Sequence, residues 1–192
     1  MLEYLKYSER GYFMKNNVKE IMKEYKEIQV ALLGLGTVGL GVYKVLQMQK
    51  EEMQHKIGTE IKIKKILVRN LEKAAQKVED PSVLTDSWEK ILEDPEIQIV
   101  IEVMGGMEPA RTYIMEAMQA GKQVVTANKD LIAADGKELM DQAKKSGCDL
   151  LFEAAVAGAI PIIRPLKQCL AGNHLSEIMG IVNGTTNFIL TK

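Results

Sequence analysis

From residue 28 onward, short apolar runs alternate with longer amphipathic stretches. Ile28, Val30, Leu32 and Leu33 predict a buried strand over 28–33. Val38, Leu40, Val42, Val45 and Leu46 then recur at helical spacing and predict a helix near 38–54, polar in its later part. Ile61, Ile63, Ile66, Leu67 and Val68 form a second strand, a short helix near 71–78 follows, and Asp80-Pro81 breaks the chain. Residues 87–92 read as a helix ending before Pro95, and 97–104 as a third strand interrupted by one acid, Glu102. Pro109 opens a helix carrying Ile114, Ala117 and Met118, Gly121 ends it, and 123–126 is a strand. Residues 128–134 and 136–146 read as two helical pieces stopped by Gly147, before a short strand at 149–153. A helix over 158–170 with Pro161 near its start, a strand over 175–182 and a helical turn after Gly184 complete the pattern. Residues 1–27 are a charged lead-in. Val18, Ile21, Met22 and Tyr25 lie at helical spacing there, so a docked surface helix and a loosely ordered extension are both open.

Strands and helices alternating through short loops predict an α/β fold with a doubly wound, mostly parallel sheet. In such sheets ligands collect at the carboxyl ends of the strands. Those ends carry Gly34–Gly39, Arg69-Asn70, Gly105-Gly106, Thr126–Lys129 and Glu153, a shared placement that packing alone does not explain.

Composition narrows the class. With 192 residues, 46% apolar and 27% charged, the chain holds a substantial core, and its net charge of −1 offers no general attraction to nucleic acid or to an anionic membrane. No apolar run reaches the ~18 residues of a membrane span, and the N-terminus lacks the order of a signal peptide. Cys148 and Cys169 have no metal or disulfide spacing and lie among apolar neighbours, so both are expected as buried, reduced thiols of a cytoplasmic protein.

The sharpest motif is Gly34-Leu-Gly36-Thr-Val-Gly39, between a predicted strand and a predicted helix. In a Rossmann-type dinucleotide site, Gly34 makes the tight turn, Gly36 lets the backbone approach a pyrophosphate, and Gly39 packs helix against strand. The N–H groups around Thr37 and Val38 then face the phosphates. The second strand ends Val68-Arg69-Asn70, with Lys73 beyond, where an NAD site would place an acid for the ribose 2′-OH. Arg69 could pair with a 2′-phosphate, which favours NADP, and Glu72 nearby leaves NAD open. Lys129 could anchor a carboxylate or polarise a carbonyl, and Asn128 could bond a ribose or an amide. The segment 151–161 is small and apolar apart from Glu153: its carbonyls could hold a cation, although composition alone favours a tight crossover.

Read in order, these segments resemble homoserine dehydrogenase: GLGTVG at 34–39, EVMGG at 102–106, VVTANK at 124–129, FEAAVAGAIPII at 152–163 and GIVNGTTNFIL at 180–190. The match runs from about residue 28 to the last residue, and the last two motifs are its most specific part. The resemblance implies reversible hydride transfer between NAD(P)H and aspartate 4-semialdehyde, giving homoserine for threonine, methionine and isoleucine synthesis. It places Lys129 as catalytic residue beside nicotinamide and substrate. Gly105, Thr126, Asn128 and Gly184 join the cofactor site, and a sodium ion is held at Glu153, Val156, Gly158 and Ile160, largely by carbonyl oxygens. The domains expected are an extension (1–27), the Rossmann nucleotide-binding domain (28–155) and the beginning of a substrate and dimerisation domain (156–192). A small-molecule substrate and a homo-oligomer follow. Two departures stand out. The lead-in is longer than the family's, and the family's acid–lysine pair that binds substrate and relays the alcohol proton lies beyond N-G-T-T-N, whereas this chain ends at Lys192. The active site is therefore expected to be incomplete here, with a non-catalytic NADP(H)-binding module or partner subunit as the alternative. Apolar surface near Ile178–Leu190 should favour self-association.

Overall fold

Val30, Ala31, Leu32 and Leu33 are all buried although they alternate sides of one strand, because both faces of that strand are covered. The computed structural model describes residues 27–180 and 188–191. Strand β1 (Glu27–Leu33) leads into helix α1 (Thr37–Met48), then α2 (Lys50–Ile57), β2 (Glu60–Leu67) and α3 (Leu71–Ala75). β3 (Leu84–Thr85), α4 (Glu89–Leu92), β4 (Ile97–Glu102), α5 (Ala110–Gln119), β5 (Gln123–Thr126), α6 (Lys129–Ser146) and β6 (Leu150–Leu151) follow. The sheet order is β3-β2-β1-β4-β5-β6 and every pairing is parallel. This is the doubly wound order, and it reverses direction between β1 and β4, where a crevice opens above the carboxyl ends.

Each face has its own core. Leu32, Ile63 and Ile66 pack with Leu35, Tyr43 and Ala74 on one side. Ala31, Leu33, Val100 and Val124 pack with Ile114, Met118, Leu131 and Leu139 on the other. No helix among the described residues is long and apolar enough to cross a membrane.

Several elements differ from the sequence pattern. The helix expected near 38–54 is two helices broken at Gln49, and α2, with no buried residue, ends at left-handed Gly58. Conversely, the two pieces expected over 128–146 are one helix: Leu131, Leu139 and Ala143 share a buried face that carries it through Gly136. β3 went unpredicted because two residues carry no periodicity; it forms by pairing Ile66 with Leu84 and Leu67 with Thr85.

The strand expected over 149–153 shrinks to Leu150–Leu151. The helix expected over 158–170 is instead a 3-10 turn at Ala157–Ala159 and a π turn at Pro165–Cys169. Residues 175–180 are not a strand, and 181 and 182 lie outside the described residues. Much of this region is exposed, so little packing holds regular structure there. Phe188–Leu190 is helical, whereas Gly184 and residues 1–26 lie outside the described residues. Cys169 corrects the expectation of two buried thiols: it is exposed, while Cys148 is half-buried. Burial, aided by Asp149, pushes the Cys148 thiol up.

Candidate functional site

The turn after β1 has the three glycines in three different environments. Gly34 has φ +100, and a Cβ there would lie 3.2 Å from the Met104 Cα. At Gly39 a Cβ would lie 2.1 Å from the Gly34 carbonyl oxygen, so only glycine lets α1 sit this close to β1. Gly36 is different. A Cβ there meets nothing within 4 Å, so the backbone faces open space. Gly36 is also the N-cap of α1 and no side chain caps that helix. The first-turn N–H groups, those of Thr37, Val38 and Gly39, therefore have no capping side chain, an arrangement that suits an anion.

An open cleft of about 420 Å³ lies beside this turn, bounded by Gly34, Gly36, Met104 and Tyr113. Arg69, Lys73 and Lys77 line it on the β2 side, against one acid, Asp86, among the described lining residues. The Asn70 side chain accepts the Lys73 backbone N–H and so caps α3. Lys77 reaches the Leu35 carbonyl inside the glycine turn, Nζ to O 3.3 Å. Lys77 was missed in the sequence, because it lies beyond the end of α3 and reaches the cleft only through the fold of the following turn. Tyr113 stacks on Trp88 at 4.5 Å between centroids, which places the chain's single tryptophan next to the cleft.

At the ends of β4 and β5 the expected ligands are drawn into one network. Glu102 is 0% exposed. Its Oε1 accepts the Met104 and Gly105 N–H groups (2.8 and 3.3 Å), and its Oε2 accepts the Thr126 hydroxyl at 2.6 Å. The Thr126 Oγ1 accepts the Asn128 N–H at 3.0 Å. Asn128 donates Nδ2 to the Gly106 carbonyl at 2.6 Å and accepts the Leu131 N–H to cap α6. Both ends of the Asn128 side chain are thus engaged within the protein. Lys129 follows as the first residue of α6, exposed at the carboxyl edge of the sheet. A cation is disfavoured at a helix start, so its placement there is not explained by helix stability. Glu102 read in sequence as an interruption of an apolar strand and as the start of the EVMGG motif, with no role of its own; a lone acid at the carboxyl end of a buried strand was the signal.

Glu153 lies apart, beyond β6. Its carboxylate accepts the backbone N–H groups of Ile162, Ile163 and Arg164. Burial would raise its carboxyl, but these three donors and the Arg164 guanidinium outweigh that and hold it below the usual range. The depressed folded value means that this stabilisation is complete above the ordinary glutamate range and is lost as the pH falls through the folded value. Exchange of the Ile162–Arg164 amides, corrected for intrinsic rates, is expected to accelerate in that acid window, and unchanged protection there would refute the role of Glu153. Ala157 (φ +51) and Gly158 (φ +57) form two successive left-handed residues, with extended Val156 before and Ile160 after. Among the described residues no three His, Cys, Asp or Glu side chains gather to hold a metal.

A family model for the homoserine dehydrogenase NAD-binding domain matches residues 34–153, and one for homoserine dehydrogenase itself matches 161–192. The chain belongs to the homoserine dehydrogenase family. Homoserine dehydrogenase of Bacillus subtilis (strain 168) is 50% identical over 167 residues, covering 87% of this chain and 39% of that protein. The Corynebacterium glutamicum homoserine dehydrogenase is 46% identical, covering 85% and 36%. Among solved structures, a homoserine dehydrogenase from Thiobacillus denitrificans superposes with a TM-score of 0.73 at 47% identity, over 77% of this chain and 34% of that one. The Staphylococcus aureus homoserine dehydrogenase at pH 6.5 gives 0.69 at 42% identity, over 85% and 39%. The chain spans about two fifths of the length of these curated homoserine dehydrogenases. The part matched as NAD-binding runs from Gly34 to Glu153, so it takes in the glycine turn, Arg69, the Glu102 network and Lys129.

Proposed function

We propose that this chain carries the NADP-binding part of a homoserine dehydrogenase that interconverts aspartate 4-semialdehyde and homoserine. Bound NADP(H) supplies the hydride acceptor or donor. The observation that carries the cofactor preference is the set of cations Arg69, Lys73 and Lys77 along the cleft, where no acid ends β2. A guanidinium beside an exposed ribose binds a 2′-phosphate through paired hydrogen bonds, and the lysines add point charges. The α1 N-terminus and Gly36 take the pyrophosphate. Lys129, set at the sheet edge by the Asn128 cap, is the group we assign to hold the substrate oxygen and stabilise charge as the carbonyl becomes an alkoxide. Gly105 and Thr126 belong to the same end of the site, and Gly184, outside the described residues, is assigned to the cofactor on its motif alone.

The sodium reading rests on the sharp backbone turn at Ala157–Gly158. The Glu153 carboxylate is already committed to three N–H groups, which suits an ion held by the carbonyls of Glu153, Val156, Gly158 and Ile160 better than a carboxylate-bound divalent metal. We further assign residues 28–155 to the nucleotide-binding domain and 156–192 to the beginning of a substrate domain, in a cytoplasmic homo-oligomer. Exposed Ile178, Met179, Phe188, Ile189 and Leu190 are the surface such assembly would cover.

Trp88 reports the cofactor. NADPH is expected to quench its fluorescence more tightly than NADH, and Arg69→Ala to weaken NADPH by about tenfold, the scale of one charge-assisted hydrogen bond, with NADH unchanged. Equal losses for both, or binding of NADH alone, would overturn the NADP assignment. Homoserine-dependent reduction of NADP⁺ tests the reaction itself.

A further inference from the structure

A fully buried carboxylate with no cationic partner in its contacts is costly, and a fold retains one where it does something packing cannot. Among the described residues, Glu102 is such a group. Its hydrogen-bond partners among the described residues are all donors, which suits an acceptor-only carboxylate: two backbone N–H groups from the loop after β4 and one hydroxyl from the end of β5. Through Thr126 the tie passes to the Asn128 N–H, and Asn128 returns to the same loop at the Gly106 carbonyl. The result is a closed ring of hydrogen bonds joining two separate segments. One is the left-handed turn Gly105 (φ +72) and Gly106 (φ +76); the other is the stretch that ends in Lys129. The ring's hydrogen bonds do not extend to the glycine turn, which meets this loop by packing of Gly34 against Met104. In the doubly wound sheet, β1-β2-β3 serves one nucleotide and β4-β5-β6 the other. The glycine turn and Arg69 belong to the first half, and the Glu102 ring belongs to the second, bordering the first at Met104.

We infer that Glu102 is the positioning residue of the nicotinamide half of the site: it fixes the Gly105-Gly106 turn against Thr126–Lys129, while the adenosine half is held by hydrogen bonds of its own, those of Asn70 and Lys77. The inference rests on the dinucleotide reading above. It predicts an asymmetric effect on two ligands, intact NADPH and 2′-phospho-ADP-ribose, which lacks the nicotinamide.

Glu102→Gln keeps the size and the Oε1 acceptor but places an NH₂ where the Thr126 hydroxyl now donates. It should weaken NADPH by about tenfold, the cost of one mispaired buried hydrogen bond, while 2′-phospho-ADP-ribose binds within about twofold of the unsubstituted chain. Thr126→Val, isosteric and unable to donate, should show the same asymmetry, and Thr126→Ser, which keeps the hydroxyl, should restore NADPH binding. If Glu102→Gln fails to fold, Glu102→Asp, which keeps the charge and withdraws the acceptor oxygens by one methylene, is expected to show the same asymmetry and decides the matter, because Thr126 is itself assigned to the cofactor end. Equal weakening of both ligands by Thr126→Val, or no weakening of either, would overturn the inference. If the unsubstituted chain binds neither ligand, the dinucleotide reading falls and this inference with it; if it binds both and the variants show no asymmetry, only this inference falls.

Discussion

Gly39→Ala should lower the unfolding midpoint by roughly 6–12 °C, about 3 kcal/mol for a domain of this size. The added Cβ would stand 2.1 Å from the Gly34 carbonyl oxygen and 2.9 Å from its carbon. Neither can rotate away as a side-chain tip would, because both belong to the backbone of the turn. Relief requires α1 to lift from β1, and α1 brings Tyr43, buried in the core on that face. The same movement displaces the first-turn N–H groups, so cofactor binding should be lost together with stability. Urea or thermal unfolding measures the first effect and Trp88 quenching by NADPH the second. A variant as stable as the original chain would show that the helix does not pack as closely as described.

Gly36→Ala should do the reverse, reducing NADPH binding by more than about tenfold while the midpoint moves by no more than about 2 °C. Gly36 has φ −75, which alanine adopts without strain, and nothing lies within 4 Å of the new Cβ. Two small effects oppose each other in stability: alanine is a poorer N-cap than glycine, but it reduces the freedom of the unfolded chain. The Cβ instead fills the space through which a pyrophosphate must reach the α1 N–H groups, so the charge-assisted hydrogen bonds there are forfeited. Unaltered NADPH affinity would mean that the turn is a packing corner and not a phosphate cradle. The two alanines, three residues apart, thus separate what the motif does for the fold from what it does for a ligand.

Much of the fold was legible because its signals are local. Residues 28–33 and 97–104 are largely apolar runs whose length and glycine endings mark buried parallel strands, the second of which ends two residues early at Glu102, and the GLGTVG turn identifies the corner between the first strand and its helix. Where expectation and structure part, a non-local partner decides. Gly136 breaks a helical pattern on paper, yet Leu131, Leu139 and Ala143 hold the helix continuous against the sheet. Leu84–Thr85 becomes a strand only because β2 offers it an edge. Residues 158–170 have a helical composition but little packing to hold a regular helix.

The candidate site divides the same way. Residue types and spacing by themselves determined the glycine turn between strand and helix, the arginine in place of an acid just after β2, the family resemblance and the candidate role of Lys129, since each is a matter of which side chain follows which strand. The tertiary structure alone decided that Lys77 joins Arg69 and Lys73 at the cleft and that Asn128 is spent on capping and on Gly106. It also turned Glu102 from an interruption in a strand into the buried link between two loops. The physical reason is that hydrogen bonds among buried groups join residues distant in sequence. Glu102 and Thr126 stand 24 positions apart, and only the parallel pairing of β4 with β5 brings the carboxylate and the hydroxyl together.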